Sequence, residues 1–148
     1  MGEWKEYKLR DITSKITSGG TPKSSEANYY DGNIPWLRTQ EINFCEITDT
    51  GVKITEEGLN NSSAKWIPAN CVIVAMYGAT VGKIGINKIP LTTNQACCNL
   101  EIDSSKALYK YVYYLKMSLY FNDKNQDKTY KFIYKNSPSF KLTRGILF

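Results

Sequence analysis

Three short segments of this 148-residue chain gather small hydrogen-bonding side chains beside a cation or a run of amides: Ser18-Gly19-Gly20-Thr21-Pro22-Lys23, Arg38-Thr39-Gln40 and Thr92-Thr93-Asn94-Gln95. Amides of Gln and Asn can bridge the N6 and N7 edge of adenine, an arginine can fork onto guanine, and Ser, Thr and backbone N–H groups take phosphate oxygens. Lys15, Lys23 and Lys83 add point charges that suit a phosphate backbone. Each segment alone is unspecific, because Asn, Thr and Gly also satisfy their own backbone in turns.

Charge and composition narrow the chemistry. The chain has 19 Lys and Arg against 14 Asp and Glu, a net charge of +5 that suits an anionic partner without demanding one. Arginine occurs only at Arg10, Arg38 and Arg144, so anion contacts must rest on lysines, amides and backbone N–H groups. Histidine is absent, which removes the usual general base and every Ser-His or Cys-His nucleophile. The glycines of GATVGKIG follow a strand pattern without opening a helix, and no paired carboxylates or Walker-type lysine loop occur. No catalytic set is found, and neither cofactor nor metal is expected. The four cysteines, Cys45, Cys71, Cys97 and Cys98, lack the C-x2-C spacing of a zinc site and are expected to be small core hydrophobes.

The candidate loops need a scaffold, and 42% hydrophobic residues over 148 suffice for one domain. Residues 4–16 read as an entry strand followed by a short helix beginning near Arg10 or Asp11. Gly, Ser, Asn and Pro make 17–33 a loop, and Ile34 to Arg38 a short strand. Thr55 to Ser63 reads as a brief helix capped by Thr55, with Gly58 weakening it. Two β-branched runs, Cys71 to Tyr77 and Val81 to Ile86, flank Gly78-Ala79-Thr80 as a pair of core strands, and a further strand is expected at Ala96 to Ile102. Asp103 or Ser104 should then cap a helix whose core stripe is Leu108, Val112, Leu115 and Leu119, with Tyr109, Tyr113 and Tyr120 on its flanks. The expected architecture is α+β (mixed α/β): a curved, largely antiparallel sheet with a long C-terminal helix packed against it. No run reaches the roughly 18 apolar residues of a membrane span, and the start MGEWKEYKLR does not read as a signal peptide, so a soluble, cytoplasmic protein is expected.

Seven blocks in one order resemble the target recognition domain of type I restriction-modification specificity subunits. They are Trp4 with Tyr7-Lys8-Leu9 and Asp11-Ile12; Ser18 to Pro22; Tyr29-Tyr30 with Gly32 to Leu37; Ile54-Thr55 with Gly58-Leu59 and Ser62 to Lys65; Ile67-Pro68; Gly78 to Lys83; and Thr92 to Ala96. The resemblance covers residues 4–121 and divides the chain into a recognition domain, 1–121, and a divergent tail, 122–148, whose FIYKNSPSFKLTRGILF end reads as truncated or frame-altered. It implies a non-catalytic, sequence-specific DNA-binding module that reads one half of a bipartite target. The implied partners are double-stranded DNA, a DNA methyltransferase (modification) subunit and a restriction subunit, with a homodimer or another specificity half as ways to complete the target, and no membrane. The alternative is a protein-interaction or assembly domain, a truncated relic without productive DNA recognition. A small methyltransferase or nuclease would need motifs that are missing here.

Overall fold

The computed structural model describes residues 7–123, so Trp4 and residues 124–148 of the tail lie outside the described residues. The chain enters through a 3-10 turn, Leu9–Asp11, closed where the Lys8 N–H donates to Asp11 Oδ2 at 3.1 Å. Strand β1, Thr13–Ser18, follows, which reverses the expected order of strand and then helix. Asp11 stabilises a turn too short to propagate, and the β-branched residues after it pair with a neighbouring strand instead. The remaining strands are β2 (Tyr30–Leu37), β3 (Cys45–Ile47), β4 (Val52–Ile54), β5 (Trp66–Ile67), β6 (Val72–Ala75), β7 (Ile84–Asn87), β8 (Leu91–Thr93) and β9 (Cys97–Ile102). Two helices complete the set, α1 at Glu56–Asn60 and α2 at Tyr109–Asp123. Helix α1 begins as expected, with Thr55 Oγ1 accepting from the Gly58 N–H at 3.1 Å, but stops short of Ser63.

The strands form two sheets, in the orders β1-β9-β6-β7-β3 and β4-β2-β8-β5. Of the seven pairings among the described residues only β2 with β8 and β3 with β7 are parallel. The mixed α+β class and the largely antiparallel pairing are therefore as expected, with the strands divided between two sheets.

Strand β6 lies at the centre, and its burial explains its sequence. Val72 and Val74 face a cluster containing Ile84, Ile86, Leu100, Val112 and Tyr113, under helix α2. Ile73 and Ala75 face the opposite way, into a cluster built from both sheets with Leu37, Ile47, Ile67, Leu91 and Cys97. A strand buried on both faces must be apolar throughout, unlike the alternation of a half-exposed one. Ile34, Trp36, Ile54 and Ala64 form a third cluster on the second sheet.

Helix α2 corrects the expected stripe. Leu108 is 62% exposed, and Leu115 and Leu119 are only half-buried, while Tyr113 (7%) and Tyr120 (9%) are buried with Val112. Asp103 does not cap this helix either. Its carboxylate accepts from the Ser105 N–H and its carbonyl from Lys106 and Ala107, closing a separate turn that ends before Tyr109. No helix among the described residues is long and apolar enough to cross a membrane.

Candidate nucleic-acid interface

Strand ends bring the candidate loops to one rim. Leaving β1 at exposed Ser18, the chain lays Gly19 and Gly20 across the end of β8, where the Gly20 N–H donates to the Thr93 carbonyl at 2.9 Å. A Cβ on Gly19 would fall on the Thr93 carbonyl, and one on Gly20 would strike Ser63 and Ala64, so only glycine permits this approach. The Trp36 indole N–H donates to the Gly20 carbonyl at 2.9 Å and the Tyr30 hydroxyl to the Pro22 carbonyl at 2.6 Å, fixing the loop from below. Exposed Thr21 then hydrogen-bonds to Gln95 of the next loop.

The second loop is pinned by Glu41. Its carboxylate accepts from the Arg38 N–H at 3.2 Å and the Gly51 N–H at 2.7 Å, which holds the 3-10 turn Thr39–Glu41 closed. Arg38 Nε lies 3.6 Å from Glu41 Oε2 and is buried without a hydrogen bond. The Asn94 N–H donates to the Leu37 carbonyl at 2.9 Å and the Met76 N–H to the Ala96 carbonyl at 2.8 Å, so loops 38–41, 76–83 and 94–96 lie side by side. Turn 39–41 neighbours the 3-10 turn Gly78–Thr80. Lys83 donates to Asn43 Oδ1 at 2.9 Å, tying the hairpin to the second loop.

Residues 1–140 match the type I restriction modification DNA specificity domain. The chain belongs to that family. It is 29% identical over 135 residues to the MjaIX type I restriction enzyme specificity subunit of Methanocaldococcus jannaschii, covering 86% of this chain and 31% of that protein. It is also 29% identical over 114 residues to the EcoR124I/EcoR124II specificity subunit of Escherichia coli, covering 74% and 28%. The chain thus spans about three-tenths of the length of these relatives. In fold it is similar to the HsdS subunit of Thermoanaerobacter tengcongensis, with a TM-score of 0.60 at 18% identity over 92% of this chain and 31% of that one.

Within this DNA specificity domain the thirteen candidate residues occupy three kinds of place. Ser18, Thr21, Lys23, Gln40 and Gln95 are exposed, and Lys23 pairs with Glu26 at 3.1 Å. Arg38, Lys83 and Asn94 are half-buried, with Asn94 Oδ1 accepting from the Ala96 N–H at 3.2 Å in its own turn. Gly19, Gly20, Thr39, Thr92 and Thr93 are buried. Thr92 donates to the Pro35 carbonyl at 2.9 Å and Thr93 Oγ1 accepts from Asn99 Nδ2 at 2.8 Å, both inside the fold. Asn43 joins the rim without having been singled out in the sequence; the only hint was an amide next to a loop already rich in them. Among the described residues no cluster of three or more His, Cys, Asp or Glu side chains is placed to hold a metal, and none of the four cysteines is in a disulfide.

Proposed function

We propose that the chain reads one half of a two-part duplex DNA sequence on behalf of a restriction-modification complex, and supplies no catalysis of its own. The observation that carries this reading is the convergence of loops 18–23, 38–41, 76–83 and 94–96 on one rim, joined by the Thr21 to Gln95 and Lys83 to Asn43 hydrogen bonds. In this reading Gln40, Gln95, Thr21 and Arg38 face base edges, Ser18, Lys23 and Lys83 position the phosphates, and Gly19, Gly20, Thr39, Thr92, Thr93 and Asn94 act by shaping the loops. The recognition unit is proposed to comprise residues 1–121, with 122–148 as a divergent tail. A modification subunit and a restriction subunit are the proposed protein partners. A second copy of the chain, or another specificity half, is proposed to complete the target.

The test is a salt-series titration of the full chain against a random-sequence duplex library, with and without a modification subunit. A chain with a net charge of +5 neutralises few phosphates, so a Kd of about 10⁻⁴ to 10⁻⁶ M near physiological salt is expected, tightening with the partner. Lys83→Ala should weaken all sequences alike and lower the salt slope by about one, whereas Gln40→Ala should change which sequences are retained. Absence of binding at low salt, with and without the partner, would overturn the proposal in favour of an assembly domain.

A further inference from the structure

The β6–β7 hairpin carries a feature that the polar rim does not account for. Strand β6 ends at Ala75, and the chain turns out of the sheet, closed by the Gly82 N–H donating to the Ala75 carbonyl at 2.8 Å. Tyr77, at the base of the tip, is 61% exposed, and Val81 on the other side is 42% exposed. Gly78 sets the tip with φ +79°, a conformation that side-chain-bearing residues rarely adopt, and faces open space. Isolated exposed apolar residues are ordinary on protein surfaces. This pair is different in its place: turn 78–80 neighbours turn 39–41, which carries Gln40, and Met76 is bonded to Ala96 beside Gln95.

An aromatic ring among amides, hydroxyls and a lysine offers what those groups lack. Lysines hold phosphates through charge, amides hold base edges through directed hydrogen bonds, and an exposed ring can pack on a deoxyribose or on the apolar edge of a base such as the thymine methyl. We infer that Tyr77 is a further DNA-contacting residue, whose ring packs on a nucleobase or deoxyribose of the duplex held by the rim and adds affinity independent of salt. The inference rests on the DNA-reading function proposed above. Val81 adds a second exposed apolar side chain to the same hairpin.

The experiment compares the full chain with Tyr77→Ala, Tyr77→Phe and Tyr114→Ala in the same random-duplex titration over a salt series, each variant first checked for an unchanged melting temperature. Tyr114 is the control, an equally exposed tyrosine (59%) on helix α2. Tyr77→Ala should weaken binding roughly tenfold with the salt slope unchanged, since a neutral ring releases no counterions. Tyr77→Phe should bind as the parent does, and so should Tyr114→Ala. If the parent binds and Tyr77→Ala binds equally well, the ring is not a contact and this inference alone falls. If Tyr77→Phe loses as much as Tyr77→Ala, a hydroxyl hydrogen bond replaces the packed ring and the inference is overturned. An equal loss in Tyr114→Ala overturns it too, because the loss is then not specific to the rim. If the parent itself does not bind, the DNA-reading function falls first and takes the role of Tyr77 with it.

Discussion

Cys71 and Cys97 sit in the cluster shared by the two sheets, 1% and 0% exposed, and their surroundings decide their chemistry. Burial pushes both thiols up to about 12, with Glu101 adding to the effect on Cys71, while on Cys97 an Asn94 hydrogen bond acts against it and Cys98 and Glu41 add to it. A thiol this hard to ionise is no nucleophile at neutral pH. The consequence for stability has a definite sign. In the unfolded chain these thiols ionise near 9.0, whereas in the fold they hold their protons to about 12. The unfolded state therefore releases protons first as pH rises, so the contribution is complete below about 9 and is lost progressively towards 12. Denaturant midpoints should fall between about pH 9 and pH 11, and a Cys71→Ala, Cys97→Ala protein should lose part of that fall. A parent whose midpoint is flat or rising over that window would contradict the burial seen here.

Among the elements, helix α2 shows most clearly where a sequence pattern and a packed face part company. Leu108, Val112, Leu115 and Leu119 share a helical period, and so do Tyr109, Val112 or Tyr113, and Tyr120, rotated by about one residue or 100°. Period alone cannot choose between two stripes. Tyr113 lies in the cluster of Val72, Val74, Ile84 and Ile86 with Tyr109 packed against it, Tyr120 stacks edge-on against Phe44, and a tyrosine body fills these gaps where a leucine does not reach as far. Tyr113→Ala should accordingly cost about 3 to 5 kcal/mol, and Leu115→Ala, from a half-buried site, about 1 kcal/mol; thermal melts of the two variants compare them directly. Equal losses would mean that the leucine face is covered as well. The core strands were legible because burial on both faces writes an unbroken apolar run such as that around Val72 to Ala75. Strands β3, β4, β5 and β8 were not, since two or three residues carry no period to read. The site was legible as loops but not as side chains: Thr92 and Gln95 look alike in a string of polar residues, yet one bonds inward to Pro35 and the other stands in solvent. Tyr77 was hidden by the same limit, continuing an apolar run that the backbone abandons two residues earlier.

At the scale of the whole molecule, two sheets hold one position because a shared apolar cluster joins them and a glycine pair lets their backbones meet. Gly19 and Gly78 separate the two uses of glycine. Gly19 is not in the left-handed region, but its absent side chain is the space occupied by Thr93, whereas Gly78 has open space around it and φ +79°. Gly19→Ala therefore forces backbone against backbone, where nothing flexible can yield, and should destabilise the fold by about 3 kcal/mol or more. Gly78→Ala meets no atom within 4 Å and carries only the left-handed backbone strain, about 1 to 2 kcal/mol. The difference should also be visible in tryptophan emission. Trp36 donates to the Gly20 carbonyl at 2.9 Å, so displacing the glycine pair exposes that indole to water and shifts its emission to the red, while Gly78→Ala leaves it in place. Melting curves followed at this emission test both expectations in one measurement. If Gly19→Ala melts with or above Gly78→Ala and leaves the emission unmoved, the glycine pair is not what sets the two sheets against each other.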